Sequence, residues 1–175
     1  MIPYGRQEIT QEDIDAVEQV LKSNFLTQGD MVPNFELKLA QVAKSDYATA
    51  VNSATSALHI ACLALDVGEG DLVWTTPNTF VASANCALYC GAKIDFVDID
   101  PLTSNLSIPL LRKKLLHAKL NNELPKVVIP VHLTGEPCDM AAIKALSLEF
   151  NFKIIEDASH AIGAYYQGSP VGSCQ

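Results

Sequence analysis

The sequence has few of the features that mark membrane, secreted or nucleic-acid-binding proteins. No apolar run approaches the roughly 18 residues that a membrane-spanning helix needs, and the opening MIPYGRQEIT lacks the apolar core of a signal peptide. Only 12 Lys and Arg stand against 20 Asp and Glu, which gives a net charge of −8. No basic cluster points to nucleic acid. We therefore expect a cytoplasmic protein that binds neither nucleic acid nor a membrane.

Cysteine occurs five times, an odd number that suits no complete set of disulfides. Cys62, Cys86, Cys90 and Cys138 lie in apolar segments, so we interpret them as buried free thiols of a reducing compartment. Cys86 and Cys90 are four residues apart and could share a helix face that binds a metal. No second pair of ligands lies near them in the sequence, which favours packing over a metal site.

Two helices are predicted before the main body of the chain. Thr10 with Asp13 has the pattern of a capping box, and apolar residues at helical spacing continue this helix to about Asn24. Residues 25–34, FLTQGDMVPN, predict a loop because glycine and proline interrupt them. A second helix then carries apolar residues to about Val42.

From residue 47 onward, apolar strand patterns alternate with helical patterns. The predicted strands are YATAV, DLVWTT, KIDFVDI, KVVIPVH and FKIIED. The predicted helices are SATSALHIACLAL, FVASANCALYCGA, the segment from about Ser107 to Lys119, and DMAAIKALSLEF. Five apolar strands separated by helices predict a three-layer α/β/α fold with a mostly parallel sheet. Ligands of such sheets bind beyond the carboxyl ends of the strands, and the main candidate residues lie there.

Ser53, Ala54 and Thr55 begin the helix that follows the first predicted strand. The first turn of a helix has free N–H groups and the positive end of the helix dipole, so these residues could hold a phosphate. Ser53 could equally be an ordinary helix cap. The dinucleotide fingerprint G-x-G-x-x-G is absent, so this stretch does not predict a dinucleotide site.

Phe80 opens the helix after the second predicted strand, in the stretch TTPNTFVAS. An aromatic side chain at this position could lie over the mouth of the sheet and stack on a flat ligand. The alternative is a buried side chain that fixes the helix to the core.

Three acids in the stretch DFVDIDP, Asp95, Asp98 and Asp100, raise the possibility of a divalent cation site. Strand alternation would direct Asp95 and Asp98 to different faces, and Asp100 before a proline suits a turn. The spacing therefore favours turn chemistry, and we predict no metal site.

Asp157 ends the fifth predicted strand, in IIEDASHAIGA. A carboxylate at this rim would keep a nearby nitrogen cation protonated. The pyridinium of pyridoxal phosphate is such a cation, and the protonated ring is the electron sink of that cofactor. His160 could bond to the ring oxygen. The alternative is that Asp157 has a structural role, either as a helix cap or in a buried ion pair.

Seven runs of the sequence have a familiar pattern: FLTQG, VPNFE, NSATSALHIACLAL, TTPNTFVASAN, GAKIDFVDIDP, VVIPVHLTGEPCDM and IIEDASHAIGAYYQGSPVGS. Together they resemble the DegT/DnrJ/EryC1/StrS sugar aminotransferases. The resemblance covers nearly the whole chain. PYGRQ, LTQG, NSATSALH and EDASHAIG are most similar to the branch of the family that works in pseudaminic acid biosynthesis. The resemblance implies a fold type I pyridoxal phosphate enzyme that is a homodimer. It also implies amino transfer from L-glutamate to the 4-keto carbon of a UDP-linked 6-deoxy sugar.

The resemblance assigns roles to matching residues. Ser53, Ala54 and Thr55 would contact the cofactor phosphate, Phe80 would stack on the ring, Asp157 would bind the ring nitrogen, and His160 would lie by the ring hydroxyl. The substrate pocket would be lined by Tyr4, Asn24, Phe25, Leu26, Thr27 and Ala54, with His132 as a weaker candidate.

The family's Schiff-base lysine follows an FSFHxxK-like motif that would lie beyond Gln175, and none of the lysines here matches it. We therefore expect residues 1–30 to be an N-terminal helix and substrate-facing arm. Residues 31–175 would be the first part of the large domain, with no small C-terminal domain and no activity from this chain alone. Two alternatives stay open: another transaminase or a dehydratase of the family, and a binding module without chemistry.

Overall fold

The computed structural model describes residues 6–173. The helices are α1 Gln11–Leu21, α2 Met31–Ala43, α3 Ala54–Ala64, α4 Ala82–Tyr89, α5 Ile108–Asn121 and α6 Met140–Phe150, with a 3₁₀ turn at Leu133–Gly135. The strands are β1 Leu72–Thr75, β2 Lys93–Phe96, β3 Val127–Ile129, β4 Lys153–Ile154, β5 Tyr165–Tyr166 and β6 Ser169–Pro170. Over this part of the chain, no helix combines the length and the apolar character needed to cross a bilayer.

The first four strands form one parallel sheet in the order β2-β1-β3-β4, and β5 and β6 form a separate antiparallel pair. Successive side chains of a strand point to opposite faces. Val73 accordingly packs with residues of α3 and α4, whereas the adjacent Trp74 packs with residues of α5 and α6. Two hydrophobic clusters therefore cover the two faces of the sheet, which confirms the predicted three-layer α/β/α architecture.

Side-chain caps fix the starts of four helices at predicted positions. The capping box is present, because Thr10 Oγ1 accepts the Asp13 N–H at 3.3 Å and Asp13 accepts the Thr10 N–H at 2.8 Å. Ser53, Ser107 and Asp139 each accept the N–H three residues further along, at the starts of α3, α5 and α6. These bonds satisfy N–H groups that have no partner within the helix.

Two local predictions are wrong. Residues 47–51 are not a strand, so the described sheet has four parallel strands rather than five. The Ala50 N–H donates to Glu36 Oε1 of α2 at 2.8 Å, so a side chain and not a strand provides its acceptor. The predicted loop is also too long, since α2 already begins at Met31. Pro33 is the third residue of this helix, where a missing N–H removes no intrahelical bond.

The first two helices contribute little to the core. α1 has no buried residue, and Ala40 is the one buried residue of α2. Ile14, Val17 and Leu21, which form the apolar face of α1, are each more than half exposed. The core therefore lies in the layers around the sheet. The division into an arm of residues 1–30 and a domain from residue 31 stays a prediction.

Three of the four predicted core cysteines are buried free thiols, Cys62, Cys86 and Cys138, and Cys90 is half-buried. Cys138 Sγ donates to the Val131 carbonyl at 3.2 Å, and burial raises the pKa of this thiol to about 12. These contacts are those of core residues. Within residues 6–173, no group of three or more metal-binding side chains is placed to hold an ion.

Candidate functional site

Asp157 lies at the carboxyl end of β4 and is held there by the neighbouring strand. Its N–H donates to the Pro130 carbonyl at 2.9 Å, and its carbonyl accepts the His132 N–H at 3.1 Å. The parallel pairing of β3 and β4 therefore continues to an isolated bridge between Val131 and Asp157. The ladder fixes the backbone from which the carboxylate projects.

The Asp157 carboxylate is buried and accepts hydrogen bonds on both oxygens. Ser83 Oγ donates to Oδ2 at 2.7 Å, and Ser159 donates to Oδ1 from Oγ at 2.6 Å and from its N–H at 3.3 Å. The side chain is neither a helix cap nor half of an ion pair among these contacts. Bonds to a charged acceptor are stronger than neutral ones, so these hydroxyls orient the carboxylate.

Ser53 caps α3, as the plain capping interpretation predicts, but the cap uses only part of the helix end. Ser53 Oγ accepts the Ser56 N–H at 3.2 Å, and Asn52 Oδ1 accepts the Ser56 hydroxyl at 2.7 Å. The N–H groups of Ala54 and Thr55 belong to the first turn, where a helix provides no acceptor. Capping by Ser53 is therefore compatible with an anion at the N–H groups of Ala54 and Thr55.

A cavity of about 370 Å³ connects these two features. Its lining includes Ala54 and Ala57 of α3 together with Asp157 and Ser159. Of the three predicted phosphate residues, Ala54 lines this cavity together with Asp157, and Ser53 and Thr55 do not. The cavity is of the size that small ligands occupy.

Phe80 is 73% exposed, which rules out the alternative of a buried side chain that anchors the helix. It lies in the turn before α4, and its carbonyl accepts the Ser83 N–H at 3.1 Å. Phe80 does not line the cavity of Asp157, so its approach to a ring remains a prediction.

His160 is also exposed and does not line the cavity. Its carbonyl oxygen lies close to Gly135, and a Cβ at that glycine would be 3.0 Å from this oxygen. Gly135 also has φ +91°, which a side chain would strain. Glycine therefore permits the close approach of the two turns that follow β3 and β4.

His132, the weaker candidate for the substrate pocket, is completely buried and serves the local structure. Its Nδ1 accepts the Cys138 N–H at 3.0 Å, so Nε2 carries the proton and donates to Glu156 Oε2 at 3.2 Å. With both ring nitrogens occupied, the imidazole holds the turn after β3 and does not reach the cavity.

Of the predicted substrate residues, Ala54 lines the Asp157 cavity, and residues 24–27 lie apart from it. Residues 24–27 connect α1 and α2 and are exposed, and Asn24 and Phe25 line a different pocket, together with residues of α1. Tyr4 lies outside the described residues. Their role in binding a substrate stays a prediction.

The two acids of VDIDP, Asp98 and Asp100, behave as turn residues, as predicted, whereas Asp95 lies in β2. Asp98 and Asp100 accept backbone N–H bonds from Ile99 and Leu102, both at 2.8 Å. Asp95 forms an ion pair with Lys114 at 2.6 Å.

Sequence reasoning missed the two serines that orient the carboxylate. Ser159 could have been found, because a serine two residues after an aspartate is a common local partner. Ser83 is 74 residues from Asp157, and no local pattern indicates that pairing.

Residues 7–175 match the model of the DegT/DnrJ/EryC1/StrS aminotransferase family. The chain belongs to this family. The match confirms the resemblance found in the sequence, and with it the prediction of pyridoxal phosphate as the family's cofactor. The lining of the cavity contains an acid, Asp157, and the first residue of a helix, Ala54, and these groups fit a cofactor with a basic nitrogen and an anionic phosphate.

Individual relatives agree with this assignment. The chain is 41% identical over 173 residues to the UDP-4-amino-4,6-dideoxy-N-acetyl-beta-L-altrosamine transaminase of Campylobacter jejuni, covering 99% of this chain and 45% of that enzyme. Helicobacter pylori PseC, an aminotransferase of pseudoaminic acid biosynthesis, has a TM-score of 0.88 at 32% identity, covering 97% of this chain and 44% of PseC. A Streptococcus pneumoniae protein solved in its PLP form has a TM-score of 0.88 at 29% identity, covering 99% and 46% of the two chains. This chain spans about half the length of these relatives.

Proposed function

We propose that this chain is the N-terminal, cofactor-binding part of a pyridoxal phosphate-dependent nucleotide-sugar aminotransferase. The amino group would pass from L-glutamate to the 4-keto carbon of a UDP-linked 4-keto-6-deoxy-N-acetyl-hexosamine, in pseudaminic acid biosynthesis. The identity to the Campylobacter transaminase supports this substrate class. The proposed enzyme is a cytoplasmic homodimer, and residues 1–30 form its substrate-facing arm.

The observation that carries the proposal is the shared cavity of Asp157 and the N-terminus of α3. The cofactor has an anionic phosphate at one end and a basic ring nitrogen at the other. A helix N-terminus favours the anion, and a carboxylate favours the protonated nitrogen. Both complementary groups are present, and the carboxylate is already oriented by two serine hydroxyls.

Each residue has one task in this proposal. Ser53, Ala54 and Thr55 bind the phosphate, and Asp157 holds the proton on the ring nitrogen. Phe80 packs against the ring face, and its exposure leaves that face of the side chain free for a ligand. His160 donates to the ring hydroxyl.

Bound pyridoxal phosphate would supply the electron sink for moving the amino group. The residues of this chain would bind and orient it and hold the ring proton. Among the described residues that line the cavity, none is a lysine. The covalent attachment and the transfer of the substrate proton are therefore assigned to a lysine beyond Gln175.

The substrate would be bound by residues from a different part of the chain. We assign it to Tyr4, to residues 24–27 and to Ala54, which reaches both ligands. Residues 24–27 do not line the Asp157 cavity, so a second surface has to bring the two sets of residues together. A partner subunit of a homodimer would provide such a surface.

The test uses a full-length version of the protein with ¹⁵N-labelled L-glutamate and the UDP-4-keto sugar. We expect the label to appear in a UDP-amino sugar detected by mass spectrometry. An Asp157→Asn variant that keeps its fold by circular dichroism serves as the matched control, with little label expected in the sugar. Label retained in glutamate by the wild type would contradict the function. If the label passed to a different keto sugar in preference to the UDP-4-keto sugar, only the proposed substrate class would be contradicted.

A further inference from the structure

Ser83 is the buried contact between the predicted ring acid and the turn that carries the predicted stacking residue. Its side chain is fully buried on α4, and its Oγ is 2.7 Å from Asp157 Oδ2. The same oxygen is 2.8 Å from Thr79 Oγ1 and 3.2 Å from the Phe80 carbonyl. Three acceptors therefore compete for one hydroxyl proton.

Electrostatics decides where that proton points. A carboxylate is a charged acceptor at the shortest of the three distances, so the Ser83 proton is directed to Asp157. The Ser83 oxygen then accepts from Thr79, which has a proton to donate. The result is a directed chain from Thr79 through Ser83 to Asp157, and Phe80 lies within the turn that this chain crosses.

We propose that Ser83 is a positioning residue that sets the Asp157 carboxylate relative to the Phe80 turn. Phe80 itself is exposed, so its own packing does not fix its position. The Ser83 N–H, which donates to the Phe80 carbonyl at 3.1 Å, and the Ser83 hydroxyl, which donates to Asp157, connect both groups through one residue. This inference rests on the proposed function, because it concerns the contact between Asp157 and a ring nitrogen.

The experiment compares two ligands that differ only at the ring nitrogen. These are pyridoxamine phosphate and its 1-deaza analogue, in which C–H replaces the nitrogen. Dissociation constants of the full-length protein are measured by calorimetric titration. For the wild type we expect the nitrogen ligand to bind about 10- to 100-fold tighter, the size of one charge-assisted hydrogen bond.

Ser83→Ala should bring the affinity ratio of the two ligands towards one without weakening the deaza analogue. A merely structural role would weaken both ligands equally and leave their ratio unchanged. Thr79→Val removes the outer hydroxyl at a half-buried site and should lower the ratio partially. Ser147→Ala, which loses a bond to the Phe152 carbonyl away from the cavity, is the matched control and should keep the wild-type ratio.

The outcomes separate this inference from the proposed function. A full wild-type ratio in Ser83→Ala, with the ratio lost in Asp157→Asn, overturns the role of Ser83 and leaves the function standing. A wild type that does not distinguish the two ligands overturns both. If Ser83→Ala does not fold, Thr79→Val decides: a lowered ratio supports the proposal, and an unchanged ratio overturns it.

Discussion

Truncation of Phe80 separates stacking from packing, because the side chain is 73% exposed. A fully buried Phe that is cut to Ala costs about 3–5 kcal/mol of unfolding free energy. Only about a quarter of the Phe80 surface is covered, so Phe80→Ala should cost well under about 1 kcal/mol by burial. Loss of an aromatic stacking contact of about 0.5–1.5 kcal/mol should weaken cofactor binding by about 2- to 10-fold. The variant is therefore expected to lose affinity and keep its stability.

Two assays and two controls test this prediction. Urea unfolding gives the change in stability, and titration with pyridoxamine phosphate gives the change in affinity. Phe152→Ala, at a position that is 2% exposed, is the buried control and should lose several kcal/mol. Leu148→Ala, on an equally exposed apolar side chain of α6, should change neither quantity. A loss of stability in Phe80→Ala as large as in Phe152→Ala, with unchanged affinity, would refute the stacking role.

Three further predictions follow from other residues. In a full-length version, Asp157→Asn should lower glutamate-dependent transamination by about 10- to 100-fold, the value of one charged hydrogen bond. Near wild-type turnover in this variant would show that Asp157 does not bind the ring nitrogen. Lys126 donates to Asp71 at 2.8 Å and lowers the pKa of Asp71 below its usual 3.8, so the stabilisation is present above that value and disappears as the pH falls through the lowered pKa. Asp71→Asn should therefore lose about 1 kcal/mol or less of unfolding free energy at neutral pH and show a shallower acid decline, and a parallel decline in both proteins would contradict the pair's role. Finally, borohydride reduction of residues 1–175 with pyridoxal phosphate should attach cofactor to no single lysine stoichiometrically, and a stoichiometric product together with turnover would place the nucleophile in this chain.

Local signals in the sequence were sufficient for most of the layered fold. Thr10, Ser53, Ser107 and Asp139 each marked a helix start, because a cap is a contact between residues three apart. The segments that form β1 to β4 were likewise predictable, because a run of apolar residues is a pattern within a few neighbouring positions. The YATAV segment failed because a strand needs a partner as well as a propensity, and the Ala50 N–H instead found a side chain of α2.

The candidate site was only partly predictable for the same reason. Asp157 could be placed at a strand end from the sequence alone, since the preceding apolar residues identify β4. Its orientation depends on Ser83, which the fold brings from α4, and the sequence contains no local sign of that contact. The exposure of Phe80 also depends on how the turn before α4 lies against the sheet, and aromatic character alone predicts burial as readily as stacking.

The two ends of the candidate cofactor site differ in how the fold supports them. The phosphate end needs only the N–H groups of one helix turn, so it can remain at the exposed start of α3 without losing its geometry. The acid end needs a carboxylate in one orientation, and the hydrogen bonds from the Ser83 and Ser159 hydroxyls supply that orientation before any ligand arrives. Preorganised groups lose less free energy on binding than mobile ones. Discrimination for a ring nitrogen is therefore expected to depend on the core around β3, β4 and α4, whereas affinity for the phosphate should tolerate changes in that core.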